Sequence, residues 1–114
     1  MKIISALTLG LLVAGCEGAY AGGHSILTAE NGMTLYTFDN DTANTSNCYD
    51  SCASSWPPYT AAAGSTADGL TLIERRDGTQ QWAKDGEPLY FWVGDSAPGD
   101  KNGDGIGGVW HVAE

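Results

Sequence analysis

Positive charge is scarce in this chain: five Lys and Arg face fourteen Asp and Glu over 114 residues, a formal net charge of −9. Beyond the first two dozen residues the permanent side-chain cations are Arg75, Arg76, Lys84 and Lys101. Such a surface has no basic stripe to neutralise a phosphate backbone, so nucleic acid is set aside as a partner. Long apolar runs are missing too. The longest, 3–14, is about a dozen residues, short of the roughly 20 that a spanning helix needs. Also absent are Gly-x-Ser-x-Gly, His-Glu-x-x-His, a phosphate loop and Cys-x-x-Cys-His, so neither catalysis nor covalent haem has support, and the expectation is a non-enzyme. Sixteen glycines and few Leu, Glu and Lys runs argue against a helical bundle.

What the N-terminus does contain reads as an export signal over residues 1–21, with one small domain at 22–114. Lys2 supplies the positive charge ahead of the apolar run. Val13-Ala14-Gly15-Cys16 fits a lipobox, in which Cys16 is diacylated, whereas Ala19-Tyr20-Ala21 fits ordinary signal cleavage. The lipobox is the preferred reading, because the cysteine falls where the apolar run ends. A lipid on Cys16 would be the chain's one link to a membrane, tethering the domain without spanning. The remaining two cysteines, Cys48 and Cys52, most simply form a disulfide in an oxidising compartment.

The strongest internal signal is a duplication. Residues 29–41 align without gaps on 83–95, an offset of 54 set by Tyr36 and Tyr90, with five of thirteen positions identical. Asn31-Gly32 and Asp85-Gly86 are the pairs preferred by two-residue type I′ turns, where both central residues need positive φ. Each turn is expected to join a first strand (25–29 or 79–83) to a second (33–38 or 88–93). Pro88, lacking an N–H, belongs at a strand's first residue or on an edge. Alternation sends Leu35 and Thr37 to one face and Tyr36 and Phe38 to the other, so Tyr36/Phe38 and Tyr90/Trp92 each set two rings on one side. Asp41 and Asp95 close the units and are expected to make turns by accepting nearby backbone N–H groups. Residues 70–75 read as a further strand, Asp77-Gly78 as a hairpin turn, 61–69 as a loop and 108–113 as a closing strand. The fold class is all-β, about six antiparallel strands built from a duplicated hairpin.

These residues resemble a family known as the secreted repeat of unknown function, predicted lipoproteins with a Tyr-x-[Phe/Trp/Tyr]-x-x-Asp motif. Here the motif occurs as Tyr36-x-Phe38-x-x-Asp41 and Tyr90-x-Trp92-x-x-Asp95, and the resemblance takes in Cys48-x-x-x-Cys52, Trp56-Pro57-Pro58, Trp82-Ala83 and the ending from Pro98-Gly99-Asp100 to Trp110-His111. The resemblance implies an exported, often lipidated domain and supplies no reaction.

Three candidate sites follow from side-chain chemistry. Cys48 and Cys52 with His111 or His24, and Met33 as a weak fourth ligand, form a soft set suited to copper, against the plainer reading of a structural disulfide. Asp100, Asn102 and Asp104 copy positions 1, 3 and 5 of a calcium loop, with Gly105 at position 6 and the Ile106 carbonyl at 7. Position 12 holds His111 instead of an acid, so Asp95 or Glu114 would have to substitute, and an acidic turn cluster is the plainer account. The rings Tyr36, Phe38, Trp56, Tyr59, Trp82, Tyr90, Trp92 and Trp110 are expected to be mostly core, with an exposed binding platform as the alternative. The expectation is therefore an exported, lipid-anchored, non-catalytic module in the periplasm or on the outer cell surface, binding an envelope partner through an aromatic or acidic face. The alternative is an envelope copper-binding or electron-transfer protein built on Cys48, Cys52 and a histidine.

Overall fold

Short β-branched and aromatic stretches separated by Gly, Asn and Asp give short strands, because each turn signal cuts the ladder within a few residues. The structure, a computed structural model, describes residues 25–114, so the signal segment, Cys16 and His24 lie outside the described residues. Among the described residues six strands are present: β1 (Tyr36–Phe38), β2 (Thr60–Ala61), β3 (Thr71–Glu74), β4 (Gln80–Lys84), β5 (Glu87–Pro88) and β6 (Trp110–Val112). The domain is all-β. Its helical parts are a single turn, α1 (Ser51–Ser55), and a 3₁₀ turn at Ile106–Gly108.

Strand β1 pairs antiparallel with β6, Tyr36 opposite Val112 and Phe38 opposite Trp110. In the second sheet β4 is central, with all of β3 along one side and with β2 and β5 sharing the other. The strands expected at 70–75, 79–83 and 88–93 thus appear as the meander β3-β4-β5, the last cut short to Glu87–Pro88. Pro88 ends the short β5, where a missing N–H costs little.

Of the two repeated turns, one differs from the expectation. Asp85 and Gly86 have φ 52° and 83°, the two positive values of a type I′ turn. At the first copy only Gly32 is positive (φ 85°). There the Ala29 N–H donates to the Met33 carbonyl and the Gly32 N–H to the Ala29 carbonyl, which makes a three-residue loop. The Asn31 side chain explains the change: its Oδ1 accepts the Met33 N–H at 3.0 Å, an Asx turn that competes with the tighter bend. Arg76-Asp77-Gly78 repeats this loop, with Asp77 Oδ1 taking the Thr79 N–H.

A second difference lies at β2, which the sequence did not mark and which runs into the stretch 61–69 read as a loop. Pro58 bridges Tyr90, the Phe91 N–H donates to the Pro57 carbonyl, and the Tyr59 N–H donates to the Leu89 carbonyl. Residues 57–61 therefore form an edge beside the second copy's tyrosine strand. The same relation joins β6 to the first copy, where the Ala113 N–H donates to the Leu35 carbonyl. Trp56 and Trp110 are themselves 54 residues apart, so the duplication runs past the hairpins into both edge strands, and each half lends its edge to the other.

Alternation along the tyrosine strands then builds two cores. Leu35 and Leu89 pack with Ala29, Trp82 and Ala113 on one side. Tyr36 and Tyr90 pack with Trp56, Trp110 and Cys48 on the other. Cys48 is fully buried and joined to Cys52 of α1 by a disulfide, with their Cα atoms 5.2 Å apart. A loop this short removes little unfolded-state entropy. The variant Cys48→Ala/Cys52→Ala is expected to lose about 2 kcal/mol of stability while keeping its far-ultraviolet circular dichroism, read by urea unfolding with and without reductant.

Candidate functional site

The two motif tyrosines meet at the centre of the fold. The Tyr36 N–H donates to the Tyr90 carbonyl at 2.8 Å, and the Tyr90 N–H returns to the Tyr36 carbonyl at 3.0 Å. A reciprocal antiparallel pair has local two-fold symmetry, so the surroundings of one tyrosine recur around the other. Both side chains are fully buried.

Their hydroxyls bond across the halves. Tyr36 donates to Asp95 Oδ2 and Tyr90 to Asp41 Oδ2, each at 2.7 Å. The sequence assigned Asp41 and Asp95 to turn-making. Each does accept a loop N–H on Oδ1, from Asn47 at 2.7 Å and from Asn102 at 2.9 Å, and its other oxygen takes the phenol of the opposite motif. Spacing within one motif cannot reveal that partner.

The rings form a column with the same symmetry. Phe38 stacks on Trp110 at 4.1 Å, Trp110 on Trp56 at 3.8 Å with planes 2° apart, and Trp56 on Trp92 at 4.3 Å. Tyr36 meets Trp56 edge-on at 5.4 Å, and Tyr90 meets Trp110 edge-on at 5.2 Å. Each contact adds about 0.5–1.5 kcal/mol beyond burial. Phe38 and Trp92 cap the column and are half-buried, while Tyr59 packs between Trp82 and Phe91 near the other core. Gly103 donates its N–H to the Tyr36 hydroxyl at 3.2 Å, and a Cβ there would come within 2.8 Å of the Trp56 ring.

The halves also differ around their tyrosines. Around Tyr90 the polar network continues inward: its hydroxyl lies 2.5 Å from Ser46 Oγ, which also accepts from Arg75 Nη1. Arg75 is only 5% exposed and further donates to Gln81 Oε1 and the Cys48 carbonyl. The sequence placed Arg75 at the end of the 70–75 strand and counted it among the permanent cations, with nothing to mark it as buried.

Most of the metal-site candidates are bonded within the protein. Cys48 and Cys52 are bonded to each other, His111 pairs with Asp39 at 2.8 Å, and Met33 sits at the end of the first hairpin turn. Asp100 Oδ2 accepts the Ser96 and Ala97 N–H groups, Asn102 donates its backbone N–H to Asp95, and Asp104 Oδ1 accepts the Val112 N–H. Among the described residues no three His, Cys, Asp or Glu are gathered in an arrangement that would hold a metal ion.

Comparison with known proteins matches this two-part design. The model of the family described as a secreted repeat of unknown function matches residues 24–60 and 71–114, one block for each half. The chain belongs to that family. No curated protein and no solved structure matches it. A member of a secreted family acts outside the cytoplasm, where the Cys48–Cys52 disulfide is stable. In this secreted repeat the tyrosine and aspartate of the motif serve to lock one half onto the other.

Burial raises both motif phenols well above the ordinary tyrosine value of 10.0, and the carboxylates Asp95 and Asp41 push in the same direction. Burial likewise raises Asp41, against the loop N–H and the Tyr90 phenol, which lower it. The Thr79 and the Ser96/Ala97 hydrogen bonds hold Asp77 and Asp100 below the usual carboxylate value.

Two outcomes follow. In a double-mutant cycle, Tyr36→Phe and Asp95→Asn should couple by about 1–2 kcal/mol, as should Tyr90→Phe and Asp41→Asn. Tyr36→Phe with Asp41→Asn, both from one motif, should be additive to within about 0.5 kcal/mol by urea unfolding. Phenols raised in the fold stabilise it fully below pH 10 and lose that contribution as pH climbs toward the folded value. The unfolding temperature should therefore fall steadily above pH 10, with Tyr36→Phe and Tyr90→Phe each flattening the fall.

Proposed function

We propose that this protein is a lipid-anchored module, held at the membrane through diacylated Cys16 in the periplasm or on the outer surface, that acts by binding and not by catalysis. Its acidic face engages a positively charged envelope partner. The observation that carries this reading is where the rings went. Tyr36, Tyr90, Trp56, Trp82 and Trp110 are all buried, so an aromatic platform has lost its main members to the core. Carboxylates are what the surface retains. Asp39, Asp41, Asp85 and Glu87 line one open cleft of about 290 Å³ beside Phe38 and Pro88. A cleft lined by one sign of charge concentrates ligands of the other and speeds their encounter, more so at low salt.

Two measurements test the reading. Cys16→Ser should abolish incorporation of labelled fatty acid and shift the protein from the membrane to the soluble fraction. If the wild type is already soluble and starts at Gly22, the anchor is wrong. Neutralising Asp39, Asp85 and Glu87 together should weaken binding of a pentalysine probe by about tenfold more than neutralising Glu30, Asp50 and Asp68. Equal losses would reduce the cleft to a share of the net charge.

A further inference from the structure

Arg75 poses a question that the motif does not answer. A buried guanidinium is ordinarily paired with a carboxylate, because an uncompensated buried charge is costly. Among the described residues no carboxylate lies within ion-pair distance of Arg75, although its charge acts on Asp41 and Asp77; its hydrogen-bond acceptors are neutral: Ser46 Oγ at 3.0 Å, Gln81 Oε1 at 2.8 Å and the Cys48 carbonyl at 2.8 Å. A guanidinium has five N–H donors. Two from Nη1 and one from Nη2 are used, so the Nε–H and the second Nη2–H have no acceptor among the described residues.

A second guanidinium packs on the same tyrosine ring. The Tyr49 ring has Arg75 Cζ 4.3 Å and Arg76 Cζ 4.1 Å from its centroid, and the Arg76 N–H donates to the Tyr49 hydroxyl at 3.1 Å. Both arginines line an open cleft of about 250 Å³ with Asn44, Thr45, Ser46, Tyr49 and Glu74.

We infer that this cleft is a binding site for a monocarboxylate, held by the free N–H groups of Arg75 and by the Arg76 guanidinium. Arginine is the side chain best matched to the planar, two-oxygen face of a carboxylate. The charge count favours a single negative charge over phosphate or sulfate. The lining carries two arginines and Glu74, and the protein around it is strongly acidic. The site is separate from the carboxylate-lined cleft beside Phe38, and neither reading depends on the other.

The test is side-chain nuclear magnetic resonance of the exported protein, following the Arg75 Nε–H during titration with sodium acetate and N-acetylglycine. Sodium phosphate, sulfate and chloride are run at matched ionic strength. A saturable shift with the carboxylates and none with chloride is expected. Arg76→Gln should weaken binding by about tenfold with the far-ultraviolet circular dichroism unchanged, since Arg76 is exposed. A peptide with a free C-terminus, compared with its amidated form, distinguishes a chain end from a free acid as the source of the carboxylate. No saturable shift with any anion, tighter binding of phosphate or sulfate, or an Arg76→Gln affinity equal to wild type would each overturn the assignment.

Discussion

The fold depends on one exchange: each half of the duplication gives its aspartate to the other half's tyrosine. The reciprocal backbone pair of Tyr36 and Tyr90 sets the two strands side by side, and the bonds Tyr36–Asp95 and Tyr90–Asp41 close over it from opposite ends. Neither phenol could be buried at low cost without its carboxylate, because an unpaired hydroxyl in a core loses about 1–3 kcal/mol. The edge strands obey the same rule, β6 lying on the first copy and residues 57–61 on the second. The ring column then has its centre at Trp56 and Trp110, one from each half, stacked at 3.8 Å. A domain of this size buries only a modest share of its surface, so a shared aromatic core does what two separate small cores could not.

Much of this was legible from local chemistry. Asp85-Gly86 signalled its turn because only glycine and a few polar residues tolerate positive φ at low cost. The alternation from Leu35 to Phe38 announced which side chains would share a face, and the structure puts Leu35 and Tyr36 in different cores. Less legible was anything that needed the second half as context. The crossing of Tyr36 to Asp95 spans 59 residues, and no spacing rule selects it over Asp41. Strand β2 was hidden by Pro57 and Pro58, which usually speak against a strand. The clue was present all the same: Trp56 stands 54 residues before Trp110, the offset that relates the tyrosines, and following the repeat past Asp41 would have marked both edge strands. The Asn31-Gly32 turn was misjudged because the side-chain bond from Asn31 to the Met33 N–H adds a residue to the loop.

The family signature thus describes how the molecule closes, and says little about what it touches. Tyr36, Tyr90, Asp41 and Asp95 are committed to one another, as are the rings of the column. The two proposed binding sites draw on groups outside that lock, in the 42–50 and 75–79 loops around Arg75 and Arg76 and in the carboxylate-lined cleft beside Phe38. Loops set on a rigid frame are where proteins commonly vary their binding while keeping their fold.

Native-state hydrogen exchange of the Tyr36 and Tyr90 amides measures the interlock most directly. The account predicts that both amides exchange only through global unfolding, with one shared opening free energy that falls equally in both when Asp41→Asn or Asp95→Asn is introduced. Exchange of one tyrosine amide through a cheaper opening of its own half, with the other half still protected, would contradict it.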